Sequence, residues 1–206
     1  MMKKVFLSLL FCLVAAGSAV TAGLLQDQHS LQEELIRLHV VAASDSEEDQ
    51  AVKLRVRDEV LDTIQEAMAS AGDPQAAEAY LKENLPRIEA AANSTLQALG
   101  AGDSASVTLC REAFQKRIYD TFSLPAGIYE SLRVTIGEGQ GHNWWCVAFP
   151  TLCMPAVSRD VETIAADAGL SPALAEAITG RREVRFYLLD LLGRLSAGRT
   201  PIDAQG

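Results

Sequence analysis

The chain has 206 residues, of which 49% are hydrophobic, so it is long enough to bury a sizeable core as one domain. Its 27 acidic residues outnumber its 18 lysines and arginines, which gives a formal net charge of −9. An acidic chain is repelled by phosphate backbones and by anionic lipid surfaces, so nucleic acid is excluded as an expected partner.

The N-terminus has the three-part pattern of a secretory signal peptide. Two lysines precede an apolar run over residues 5–16, and small residues follow as far as Ala22. We predict that residues 1–22 are a signal peptide or an uncleaved N-terminal anchor, and that membrane contact is limited to this export segment. The remaining predicted divisions are a tether over 23–30, a single domain over 31–198 and a flexible tail over 199–206.

Taken in chain order, the apolar periodicity alternates between strand and helix patterns. Residues 35–42 are typical of a strand, and a helix is predicted over 46–69, with Ser46 and Asp49 at capping-box spacing. A second helical region spans 75–99, where Pro86 predicts a break or kink near Asn84. A strand over 106–112 and a less regular edge strand over 114–122 follow, and helices are predicted again after residue 153.

The most informative segment is 132–153. Residues 132–136 alternate as a half-buried strand, while residues 143–149 are apolar on both faces, which is typical of a central or covered strand. A glycine loop joins them, so we predict a β-hairpin. The expected fold is an α+β domain with an antiparallel sheet of about four strands packed against helices, and a helical C-terminal segment. The glycines of the loop are Gly137, Gly139 and Gly141.

The same segment contains aromatic and sulfur side chains. Trp144 and Trp145 are adjacent, so their side chains must leave opposite faces of the strand, and one of them can anchor a partner. Cys146 and Cys153 are spaced to close a tight loop with a disulfide worth about 2 to 3 kcal/mol. Cys110 is then left over as a buried thiol. The alternative is a secreted cysteine hydrolase that acts on cell-wall peptides through Cys146 and a histidine.

No cofactor or metal site is indicated by the spacing of polar residues. The glycine loop leads into a strand, and Glu138 would repel a phosphate, whereas phosphate cradles lead into a helix N-terminus. Four residues carry atoms that can bind a metal, but their spacing in the sequence does not match that of a metal-binding motif. They are His39, Asp45, Asp49 and His142.

Two stretches resemble the stage II sporulation protein R family. They are LIRLHVVAASDSEEDQAVKLRVRDEVL, over residues 35–61, and LPAGIYESLRVTIGEGQGHNWWCVAFPTLC, over residues 124–153. The NWWC core with its preceding glycines is long and compositionally unusual. The departures from the family pattern are Ala43, where Asn is usual, and Thr151, where a second proline is usual.

The resemblance implies a non-enzymatic signalling protein of endospore formation, secreted into the space between the forespore and mother-cell membranes. There it would activate a membrane-embedded aspartic protease that processes pro-sigma-E. We expect the contact surface where the motifs are densest. The predicted contact residues are His39, Asp45, Asp49, Gly137, Glu138, Gly139, Gly141, Asn143, Trp144 and Trp145.

Overall fold

The computed structural model describes residues 29–119 and 122–152, together with positions 6, 11, 15 and 18. A helical turn over residues 29–34 precedes the first strand. The predicted signal segment and tether fall almost entirely outside these residues, and the predicted C-terminal helices and tail fall wholly outside them. The elements are β1 (Ile36–Val41), α1 (Glu47–Ser70), α2 (Pro74–Ala98), β2 (Ala105–Phe114), β3 (Arg117–Ile118), β4 (Ser123–Leu124), β5 (Gly127–Ile136) and β6 (Asn143–Phe149).

The predicted α+β class is confirmed, and the main sheet has four strands in the order β2-β5-β1-β6. The prediction of an antiparallel sheet is wrong in one pairing, because β1 runs parallel to β5. The β1–β6 and β2–β5 pairs are antiparallel. Apolar periodicity identifies strands but not their neighbours, which is why the sequence did not reveal the mixed sheet. No helix in the described ranges combines the length and apolar character needed to cross a bilayer.

The predicted hairpin between β5 and β6 is also wrong, because β1 lies between these two strands. The glycine loop instead crosses the end of β1, where Gly141 N–H donates to Ala42 O (3.0 Å) and Gln140 N–H donates to Ala43 O (3.2 Å). A Cβ atom on Gly141 would lie 2.1 Å from the carbonyl oxygen of Ser44. A glycine is therefore required here because two backbone segments touch.

Strand β1 is buried along its whole length, as expected for a central strand covered on both faces. Leu38 and Val40 point toward the helices, where they join an apolar core. The opposite face of the strand presents Arg37 and His39, which are also buried. The helical side of the core is formed by Val56, Val60, Ile64, Leu81, Ile88 and Ala92.

The helices follow their predicted bounds closely. At the start of α1 the Ser46 side chain accepts from Asp49 N–H (3.1 Å), which confirms the predicted cap. Of the predicted break or kink near Asn84, the break is wrong, because α2 continues through Pro86. Leu81 and Ile88 are buried on either side of this proline, and their packing outweighs the lost backbone hydrogen bond.

The segment predicted as an irregular edge strand over 114–122 divides into two parts. Its first residue, Phe114, ends β2, and β3 then pairs with β4 in a separate two-stranded sheet. Tyr119 N–H donates to Phe122 O (2.8 Å), and the two rings stack with centroids 4.4 Å apart. This small sheet lies against the face of β1 that carries Arg37, because Tyr119 and Arg37 are hydrogen-bonded.

The close approach at Gly141 gives a stability prediction. Gly141→Ala should lower the free energy of unfolding by about 1 to 3 kcal/mol, because the new methyl group overlaps a backbone carbonyl. Urea unfolding followed by circular dichroism measures the change. Gly72→Ala is the control, since a Cβ there meets nothing within 4 Å. Equal urea midpoints for Gly141→Ala and wild type would contradict this explanation.

Candidate interaction surface

Two predicted contact loops meet at the C-terminal end of β1. We call them the loop surface, which consists of residues 43–49 and 137–143. Asp45 accepts from the backbone N–H of His142 (2.6 Å) and also contacts its imidazole. Lys53 from α1 donates to the carbonyl oxygen of His142 (2.9 Å). Burial of the lysine lowers its pKa. The two loops and the first helix therefore hold one another in place.

The loop surface contains both exposed and internally bonded acids. Asp45 and Glu138 are exposed, although Asp45 also bonds to His142 and Glu138 accepts from the Gln140 side chain (2.7 Å). Asp49 is half-buried, and its carboxylate accepts a hydrogen bond from the Ser44 hydroxyl. Asp49 thus stabilises the turn that leads into α1. Within the described residues, no group of three or more potential ligands is arranged to hold a metal ion.

His39 lies below the loop surface and not on it, since its exposed fraction is only 7%. Its Nδ1 is 3.1 Å from both carboxylate oxygens of Glu112, and its Nε2 is 2.7 Å from Oδ1 of Asn143. The Trp145 ring centroid is 5.6 Å from that of the imidazole. His39 therefore orients two predicted contact residues. The histidine that lies beside Asp45 is His142.

The two tryptophans leave opposite faces of β6, as predicted. Trp144 is opposite Val40 in the register and points toward α1, where Arg57 lies 4.8 Å from its ring centroid. Trp145 is opposite His39 and points to the other face, where Arg117 lies 3.8 Å from its ring centroid. Both tryptophans are half-buried, so each remains partly accessible to a partner.

The geometry argues against the hydrolase alternative. Cys146 is opposite Leu38 in the register, so it points to the helical face, whereas His39 points to the other. His142 is exposed and bonded to Asp45, while Cys146 is 5% exposed. Cys153 lies outside the described residues, so its bridge to Cys146 stays a prediction. Cys110 is a free, half-buried thiol, and burial raises its pKa, which makes it a poor nucleophile.

Several residues of this region were missed by the sequence analysis. Arg37 is 0% exposed, and it donates from Nε to Cys146 O (2.9 Å) and from Nη2 to Tyr119 Oη (2.9 Å). Glu112 also contacts Arg133 at 3.4 Å. The sequence did contain a signal for this network, namely an arginine inside the apolar run of residues 35–42. Buried charges are rare unless they are paired, so this arginine predicts polar partners.

Comparison with known proteins identifies the family. The family model described as stage II sporulation protein R matches residues 32–159. The chain is also 36% identical over 150 residues to "Stage II sporulation protein R" of Bacillus subtilis (strain 168), and the match covers 72% of this chain and 67% of that protein.

The chain belongs to the stage II sporulation protein R family. The resemblance stated from the two sequence stretches is thereby confirmed, and it assigns the chain to sporulation. The matched range includes β1 to β6 and both helices, so the loop surface lies entirely within the family region. No solved structure matches the chain significantly.

The buried carboxylate gives a pH-dependent prediction. Burial alone would raise the pKa of Glu112, but the hydrogen bond from His39 and the charges of His39 and Arg133 lower it overall. Its contribution to stability is therefore complete above the unfolded-state pKa of about 4.3 and is lost as pH falls through the lower folded-state pKa. As pH falls through this acidic window, the free energy of unfolding should therefore decrease less for Glu112→Gln than for wild type.

Urea unfolding at a series of acidic pH values tests this expectation. The matched control is Glu66→Gln, because Glu66 is an exposed acid of α1. The control should follow the wild-type pH dependence. Parallel curves for Glu112→Gln and wild type would contradict the assigned role of this carboxylate.

The predicted disulfide has a direct chemical test. In exported protein alkylated without reduction, we expect label on Cys110, and a peptide in which Cys146 and Cys153 are linked. After reduction, both of these cysteines should be alkylated. Mass spectrometry of the digested protein measures all three positions. Alkylation of Cys146 without prior reduction would contradict the bridge.

Proposed function

We propose that this protein is a secreted, non-enzymatic signal of endospore formation that activates a membrane-embedded aspartic protease, which then processes pro-sigma-E. The observation that carries the proposal is membership of the stage II sporulation protein R family over residues 32–159. The predicted export signal and the predicted disulfide are consistent with action between the forespore and mother-cell membranes.

The arrangement around β1 favours binding over catalysis. The side chains with the chemistry for catalysis are separated, because Cys146 and His39 lie on opposite sides of the sheet. By contrast, exposed polar groups and half-buried tryptophans lie together on and beside the loop surface. Aromatic side chains with a polar rim are characteristic of protein interfaces.

The mechanism we propose is a population shift of the protease. The signal would bind the active arrangement of the protease more tightly than the idle arrangement. It can shift the equilibrium only by this difference in affinity. A rigid surface suits that role, because little binding free energy is then spent on ordering loops. The hydrogen bonds that join Asp45, Lys53 and His142 supply such rigidity.

Reconstitution in a bacterium that does not sporulate tests the proposal. The protein is co-expressed with the aspartic protease and pro-sigma-E, and cleavage of pro-sigma-E is followed by immunoblotting. We expect cleavage with the full chain and none with a variant that lacks residues 2–22, because that variant cannot reach the extracytoplasmic side. Equal cleavage with and without the protein would contradict the proposed function.

The loop surface is tested in the same system. Asn143 is exposed at the start of β6, so Asn143→Ala should reduce cleavage about tenfold, the effect of losing roughly 1.4 kcal/mol of binding free energy. Ser94→Ala is the matched control, since Ser94 is exposed on α2. Ser94→Ala should keep the wild-type melting temperature, whereas Asn143→Ala also loses the hydrogen bond to His39 Nε2 (2.7 Å), so cleavage is compared at a temperature at which both variants are folded. Full cleavage with Asn143→Ala would count against this surface.

A further inference from the structure

Arg37 is a buried cation whose donors are only partly paired within the described residues. Its guanidinium is packed over the rings of Phe114 (4.4 Å) and Tyr129 (5.4 Å), while Nη1 is buried and has no hydrogen-bond partner among the residues that the structure describes. Burial lowers the pKa of Arg37, and the nearby charge of Arg117 adds to this effect. A buried donor without an acceptor is costly, and more so when it is charged.

Arg117 places a second guanidinium beside this one. It lies 3.8 Å from the ring centroid of Trp145, and Tyr119, hydrogen-bonded to Arg37, also lies 3.3 Å from Trp145 O. The neighbouring Ile118 is 73% exposed. We call this region the arginine face, which consists of Arg37, Arg117, Ile118, Tyr119 and Trp145.

The arginine face is cationic although the chain carries a net charge of −9. Glu112 lies on this side of the sheet, and it is already bonded to His39 and Arg133. Among the described residues, no carboxylate lies within salt-bridge distance of Arg37 or Arg117. Within residues 29–119 and 122–152, the two guanidiniums are therefore without a paired carboxylate, which their surroundings would favour.

We propose that the arginine face binds a carboxylate-bearing segment of the protein's membrane partner, with Arg117 as the accessible cation and Trp145 and Ile118 as apolar anchors. This inference rests on the proposed function, which supplies the partner. Arg37 supports the site from below by holding Tyr119 against Trp145 O. A guanidinium fork matches the two oxygens of a carboxylate, and aromatic stacking fixes the orientation of the fork.

A protein carboxylate fits this face better than an anionic lipid surface. Binding to an anionic bilayer needs a broad basic patch, and the bilayer would repel the acidic remainder of the chain. The arginine face is narrow and combines two cations with tryptophan, tyrosine and an exposed isoleucine. Tryptophan, tyrosine and arginine are the residues that contribute most to binding at protein interfaces.

The test uses the full-length exported protein and the partner protease in nanodiscs of neutral lipid. Arg117→Gln should weaken the apparent Kd about tenfold, and it should lower the melting temperature of the protein alone only by the small effect of losing the contact with the Trp145 ring. Arg117→Lys should recover part of the affinity, because it keeps the charge and loses the fork. Arg111→Gln is the matched control, as it removes an exposed arginine of β2, and its Kd should equal that of wild type.

Each alternative has a distinct outcome. If the chain itself supplies the carboxylate, from Asp120 or from residues 153–206, Arg117→Gln would lower the melting temperature without changing the Kd, and the proposal would be wrong.

Arg117-dependent binding to phosphatidylglycerol vesicles would replace the protein partner with lipid. An unchanged Kd for Arg117→Gln would overturn this inference alone. Absence of binding by wild type would overturn the proposed function, and this inference with it.

Discussion

The structure depends on the position of β1 between two strands that follow each other in the sequence. Because β5 and β6 flank β1, the connection between them must cross its end, and Gly141 passes so close to Ser44 that no side chain fits. This crossing brings residues 137–143 against residues 43–49. Gly141 is thus explained by contact between backbones, whereas Gly137 and Gly139 adopt positive φ angles of 58° and 65°. The loop surface is a direct consequence of the strand order.

The same strand order gives the sheet two different faces. The helical face is apolar, with Leu38 and Val40 of β1 at its centre. The other face buries Arg37 and His39 in a network of hydrogen bonds and aromatic contacts. Strand β6 contributes one tryptophan to each face, so it connects the apolar core with the region proposed to bind the partner.

Local structure was predictable from the sequence, but strand neighbours were not. The helix cap at Ser46 and the opposite directions of Trp144 and Trp145 follow from short-range periodicity, and both predictions are correct. The predicted hairpin and the break at Pro86 failed because long-range packing decided them. The partners of Arg37 come from residues distant in sequence, and spacing rules do not describe such contacts.

The central claim is that the protein acts by direct contact through the side of the sheet that carries Trp145. Photo-crosslinking in the reconstituted system tests it most directly, with the reactive amino acid placed at Ile118, at Asn143 or at Ser94 of α2. The account predicts crosslinks to the aspartic protease from positions 118 and 143, and none from position 94. Crosslinks from position 94 alone, or cleavage of pro-sigma-E with no crosslink from 118 or 143, would contradict it.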